Sequence, residues 1–113
     1  MRVLVCGGRS YINIDHVFTV LSDLHEERGI TTLIHGCAPG ADSIAANWAR
    51  TYGVKEARYP AEWNKHGKAA GPIRNANMLL EGKPELVVAF PGANGTAHMV
   101  QIATNAGVEV IKA

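Results

Sequence analysis

The sequence predicts an α/β fold, a Rossmann-like three-layer sandwich around a five-stranded parallel sheet of order 3-2-1-4-5. Three observations lead there. Five short apolar runs alternate with segments of helical period. The runs are continuous rather than alternating, as strands covered on both faces are. Glycines follow the runs, where a chain leaving a strand turns sharply into a helix. Right-handed crossovers then favour strand order 3-2-1-4-5.

Arg2 to Cys6 is the first run, closed by Gly7-Gly8-Arg9. Ile14, Val17, Phe18, Leu21 and Leu24 recur at helical spacing, with Gly29 as a stop. Thr32 to His35 is the second strand, and Gly36 through Asp42 leads from it into a second helix. Ile44, Ala45, Trp48, Ala49 and Tyr52 give that helix one apolar face, which Gly53 closes. Val54 to Tyr59 is a weaker third strand. Residues 60–71 have no apolar period and read as a loop of about a dozen residues, a length more often functional than idle. Pro72 suits the first turn of a third helix running to Gly82. Leu86 to Phe90 is the clearest strand, and Pro91-Gly92-Ala93-Asn94-Gly95-Thr96 turns it into a fourth helix ending at Gly107. Val108 to Ile111 is the last strand.

The 113 residues have room for one domain, 1–113. Hydrophobic residues at 47% and charged residues at 19% are a globular composition. A net charge of +1 supplies no long-range field, so nucleic acid is not an expected partner, although a local anion site is compatible with it. Cys6 and Cys37 form no metal or redox motif. No apolar stretch approaches a membrane span, and the short apolar start does not read as a signal peptide. The expectation is a reduced, cytoplasmic protein without a membrane partner. His16, His25, His35, His66 and His98 show no ligand spacing, so no metal site is read. A P-loop and the full GxGxxG are likewise missing.

In such a sheet, ligands bind beyond the carboxyl ends of the strands where strand order reverses. The exits flanking that point are Gly7-Gly8-Arg9 and Pro91 through Thr96, of which Gly7, Gly8, Arg9, Pro91, Gly92, Asn94, Gly95 and Thr96 are candidate ligand-binding residues. Glycines let backbone N–H groups face a ligand, and the helix that follows adds partial positive charge. Thr96 has two readings, a helix cap or a donor to phosphate oxygen. The second exit adds Gly36, Gly40, Ala41 and Asp42. Two roles are open to Asp42: a helix-start residue favoured by the dipole, or a ligand for a ribose hydroxyl. Arg74 and Asn75 open the third helix; Arg74 reads as a phosphate fork or as a surface arginine. In the long loop, Trp63 suits stacking on a base or plugging an apolar gap, and Tyr11 has the same two readings. Glu62, beside Trp63, is a candidate acid or base.

Gly7-Gly8-Arg9, Gly36-x-x-x-Gly40-Ala41-Asp42, Ala70-Gly71-Pro72-Ile73-Arg74-Asn75 and Phe90-Pro91-Gly92-x-x-Gly95-Thr96 together resemble the SLOG superfamily, in its YspA-type (YpsA-related) branch of small phage and bacterial proteins. The resemblance spans nearly the whole chain. It implies a Rossmann-like domain that binds a nucleotide or a nucleotide-derived phosphate ligand, and a homodimer joined through the third or fourth helix. The related Lonely Guy enzymes cleave nucleoside monophosphates into base and ribose phosphate. They are similar at an arginine-x-x-x-methionine segment, here Arg74 to Met78, and at PGGxGTxxE, here Pro91 to Met99. Ala93 replaces the second glycine, and Met99 stands where the catalytic glutamate would be. More distant relatives, of the DprA/Smf kind, work in DNA processing and bind single-stranded DNA on a similar fold. Three readings follow: a binding or sensor module for a nucleotide-like ligand, a hydrolase of an N-glycosidic bond, and a single-strand binder. The missing glutamate favours the first over the second, in which Glu62 or Asp42 would have to supply the catalytic carboxylate. Few aromatics and a near-neutral charge disfavour the third, which needs a basic groove with stacking rings.

Overall fold

The computed structural model describes residues 1–113. Five strands form one sheet in the order β3-β2-β1-β4-β5, with every neighbouring pair parallel. They are β1 (Arg2–Cys6), β2 (Thr32–His35), β3 (Lys55–Arg58), β4 (Leu86–Ala89) and β5 (Glu109–Lys112). The helices between them are α1 (Ile14–Arg28), α2 (Ala41–Thr51), α3 (Trp63–His66), α4 (Ala70–Gly82) and α5 (Asn94–Asn105). The three-layer sandwich and the strand order read from the sequence are both present.

The sheet is covered on both faces because its three central strands are buried almost throughout and apolar at 3–6, 33–34 and 86–89. Successive side chains on a strand point to opposite faces. Val3 and Val5 therefore join Leu33, Leu86 and Val88 under α1 and α2, where Val17, Leu21 and Trp48 meet them. Leu4 and Cys6 join Ile34, Val87 and Ala89 under α4 and α5, against Met78, Met99 and Ala103. β3 and β5 have exposed ends and half-buried middles, as edge strands do. Trp48 anchors the first face: wholly buried, it donates its indole N–H to Ser22 Oγ at 3.0 Å and meets the His25 ring edge-on.

Helix ends follow local chemistry. Asn13 accepts the His16 N–H at 3.1 Å through its side chain and starts α1. Gly29, at φ +71, ends it. Lys83, in the left-handed region, ends α4, and Pro84 bars its continuation.

The segment 60–71 departs from the sequence reading. It is not a featureless loop: Trp63–His66 form a short helix, Gly67–Ala69 one 3-10 turn, and α4 begins at Ala70, two residues before Pro72. Four residues make about one turn, too few to display a 3.6-residue period. Pro72 is still tolerated, because its missing N–H falls among the unpaired first-turn groups.

Removing the Trp48 anchor should be costly. Trp48→Ala is expected to lower unfolding free energy by about 3–5 kcal/mol, the range for large aromatic truncations in cores. Urea titration followed by circular dichroism measures it. A loss below about 1 kcal/mol would mean the α1–α2 layer does not rest on this ring.

Candidate functional site

The carboxyl ends of the strands meet at a lattice of backbone hydrogen bonds centred on Gly8. Its N–H donates to the Pro91 carbonyl at 2.8 Å, and its own carbonyl accepts from Ala41 N–H at 3.1 Å and Tyr11 N–H at 3.2 Å. One residue thereby joins the exit of β1 to that of β4 and to the start of α2. Gly40 must be glycine on two counts: its φ is +77, and a Cβ there would collide with the Gly8 carbonyl and with Arg9. A Cβ on Gly92 would strike the Thr96 hydroxyl and approach the Gly8 nitrogen to 2.8 Å.

Above this lattice opens a cleft of about 930 Å³. Gly7, Gly8, Arg9, Tyr11, Asp42, Trp63, Arg74, Asn75, Pro91, Gly92, Asn94, Gly95 and Thr96, all candidates from the sequence, line it together. Glu62, Gly36, Gly40 and Ala41 do not. Glu62 is exposed at the start of α3, where its carbonyl accepts from Lys65 and His66 N–H groups. Gly40 and Ala41 are turned against the Gly8 peptide, and Gly36 lies behind the Arg74 guanidinium.

One rim of the cleft is the N-terminus of α5. The N–H groups of Asn94, Gly95 and Thr96 have no partner in the protein, and no side chain caps the helix. Twelve residues of aligned peptide dipoles place partial positive charge there. Arg9, Lys68 and Arg74 also line the cleft. Arg74 donates through Nη1 to the Gly36 carbonyl at 2.6 Å and through Nε to Asn75 Oδ1 at 3.1 Å. Its Nη2 amino group has no protein partner. Burial pushes the Arg74 pKa down, while Asp42 nearby opposes that. Trp63 is 48% exposed, with the Arg9 guanidinium 5.7 Å from its ring centroid. Tyr11 instead packs on Phe90, ring centroids 5.7 Å apart.

Asp42 does structural work at the cleft floor. Its Oδ2 accepts from Gly36 N–H at 2.9 Å and Ala38 N–H at 3.3 Å, which closes the β2–α2 turn. Burial raises its pKa, and those two donors work in the opposite direction. Cys6 beneath is pushed up to about 12 by burial and by Asp42, so it is an unreactive thiol. Met99 is fully buried in the α4–α5 core with Leu4 and Met78, and it brings no carboxylate to the cleft.

Beside the cleft, buried His35 meets Glu56 Oε1 at 2.9 Å through Nε2 and accepts Cys37 N–H at 3.1 Å through Nδ1. Glu56 also takes Arg50 at 3.1 Å. Burial would raise the Glu56 pKa, but the His35 and Arg50 hydrogen bonds outweigh it and hold the carboxyl below its ordinary value.

Sequence reasoning passed over two lining residues of chemical interest. Lys68 is hidden in the aperiodic segment. His98 belongs to no ligand-spaced histidine set in the sequence, yet it sits one turn inside α5, on the side facing α4. Its i,i+4 relation to Asn94 was the signal available.

A family model described as YspA, cpYpsA-related SLOG matches residues 1–66. The Gene 61 protein of Mycobacterium phage D29 is 36% identical over 118 residues, spanning 97% of this chain and 94% of the phage protein. Among solved structures, DNA processing protein A from Streptococcus pneumoniae superposes with a TM-score of 0.56 at 18% identity. That match covers 97% of this chain and 58% of the streptococcal one, so this chain spans little more than half of its length. The likeness at that identity is one of fold.

Asp42→Ala should cost about 1–3 kcal/mol of stability, because it strands two N–H groups inside the turn. Asp42→Asn keeps an acceptor and should cost less. The pH dependence has a definite sign. With its folded pKa raised, Asp42 contributes stability that is complete below the ordinary aspartate value and is lost as pH rises through the raised one. The stability gap between Asp42→Asn and wild type should therefore move in favour of the variant across that window. Urea unfolding over a pH series checks it; a gap moving the other way would show that the carboxylate is stabilised by its donors.

Proposed function

The chain belongs to the YspA, cpYpsA-related SLOG family, and from that premise we propose that its cleft binds a nucleotide or nucleotide-derived phosphate ligand. The observation that carries the reading is the convergence of unpaired donors on one space. Three N–H groups of α5, the free edge of Arg74, Arg9 and Lys68 all border the same cleft. Such donors suit an anionic group, and a helix N-terminus favours negative charge without a compensating carboxylate. The half-exposed Trp63 ring on the same rim offers a face for a base. The volume exceeds the lower range of small-ligand clefts and suits a nucleoside phosphate.

Binding is favoured over N-glycosidic hydrolysis on three grounds. Met99 replaces the glutamate of the Lonely Guy pattern, Asp42 spends its carboxylate on Gly36 and Ala38, and Glu62 lies outside the cleft lining. A carboxylate that holds a turn closed is not free to move a proton to a leaving base.

Calorimetry with AMP and adenosine tests the reading. AMP should bind, and Arg74→Ala should weaken it by roughly 1.5–3 kcal/mol, the worth of a hydrogen bond to a charged group. Adenosine should lose little. Equal losses for both ligands would assign Arg74 to the Gly36 turn alone. Incubation with AMP should release no free adenine; rapid release abolished by Glu62→Gln or Asp42→Asn would replace binding by hydrolysis.

A further inference from the structure

Asn75 is a buried amide with every polar atom committed. Its Oδ1 accepts from Arg74 Nε at 3.1 Å, and its Nδ2 donates to the Gly95 carbonyl at 3.2 Å and to His98 Nδ1 at 3.1 Å. The side chain is only 5% exposed. Its orientation is fixed twice over. Arg74 has only donors, so the atom facing it must be the oxygen, and the Gly95 carbonyl only accepts, so the atom facing it must be the NH₂. The same NH₂ then meets His98 Nδ1, which is obliged to act as an acceptor. In a neutral imidazole, the proton must therefore sit on Nε2.

His98 lines the cleft. A helical side chain leans back over the turn preceding it, so the ring of residue 98 covers the side of α5 that carries residues 94 and 95. The bond from Asn75 to both Gly95 and His98 locates the ring at that same turn.

We propose that His98 is a ligand-binding residue whose Nε2–H donates to an oxygen of the anionic group held at the start of α5, with Asn75 as the positioning residue that sets its tautomer. This deepens the phosphate reading above and rests on it. The relay Arg74–Asn75–His98 links two sides of the cleft. Arg74 offers its free edge from α4, and through Asn75 it fixes what His98 offers from α5. A phosphate monoester suits this set, since its several oxygens can accept from the α5 peptides, from Nε2–H and from Arg74 together. The fixed donor is neutral, so it adds direction to the site.

Two measurements test it. In the ligand-free protein, long-range proton–nitrogen NMR of the imidazoles at neutral pH should show His98 as the Nε2–H tautomer. In Asn75→Ala the ring should lose that single tautomer. In calorimetry with AMP and with inorganic phosphate, His98→Ala should weaken binding about ten- to hundred-fold. His98→Gln, which offers an amide N–H of similar reach, should recover most of it. Asn75→Ala should weaken binding too, and its further loss on a His98→Ala background should be smaller than on wild type, because the part that acts through His98 is already gone. His98 is half-exposed, so its variants keep the fold available even where Asn75→Ala does not. Wild type that binds AMP no better than His98→Ala overturns the inference and leaves the phosphate reading standing. An Nδ1–H tautomer in the free protein also overturns it. Wild type that binds neither AMP nor inorganic phosphate removes both readings.

Discussion

The Gly8 peptide is where this molecule's architecture and its cleft are decided together. Its N–H reaches Pro91, and its carbonyl reaches Ala41 and Tyr11, so one residue fastens the exits of β1 and β4 to the start of α2. Parallel strands bring their carboxyl ends to one edge, but they do not by themselves hold the loops there in register. The hydrogen bonds at Gly8 do so, and they require close backbone approach from both sides. That requirement explains the glycines at 40 and 92, each of which would place a Cβ on the Gly8 peptide. It also accounts for the geometry above: with β4 pinned through Pro91, α5 begins at the cleft edge with its first N–H groups unpaired.

Two physical demands then divide the residues around the cleft. Some atoms satisfy the fold: Asp42 closes the β2–α2 turn, and Arg74 spends part of its fork on Gly36. Others are left over: the α5 peptides, the Arg74 Nη2 group, Arg9 and Lys68. Buried polar groups in folded proteins are normally paired, and no buried side-chain polar atom here lacks a partner. The unpaired donors are thus concentrated at an open surface where water or a ligand can reach them.

Much of the fold could be read from the chain because its signals are local. The strand segments 2–6, 32–35 and 86–90 carry apolar runs without polar alternation, and each is followed by glycine or proline. The segment 60–71 escaped because a single helical turn cannot show a repeat, and with it went the placement of Lys68. The cleft lining was legible as a set of strand exits. The division of labour within it was not, since pattern gives which residues share a rim and not which atoms are already engaged. Asp42 and Arg74 illustrate the limit, because their hydrogen bonds to Gly36 and Ala38 depend on turn geometry. His98 is the converse: a lone histidine in a helix carries no motif, and only the Asn75 amide between α4 and α5 reveals its orientation.

Where a phosphorylated ligand meets the backbone decides between a phosphate site at the start of α5 and one elsewhere. Backbone amide NMR of the wild-type chain during titration with AMP addresses that directly. The largest shifts should fall on Asn94, Gly95 and Thr96, with Gly8 and Arg9 following. Shifts confined to residues away from the β1 and β4 exits, or none at millimolar AMP (roughly the weak limit of specific binding), would contradict a site at the start of α5.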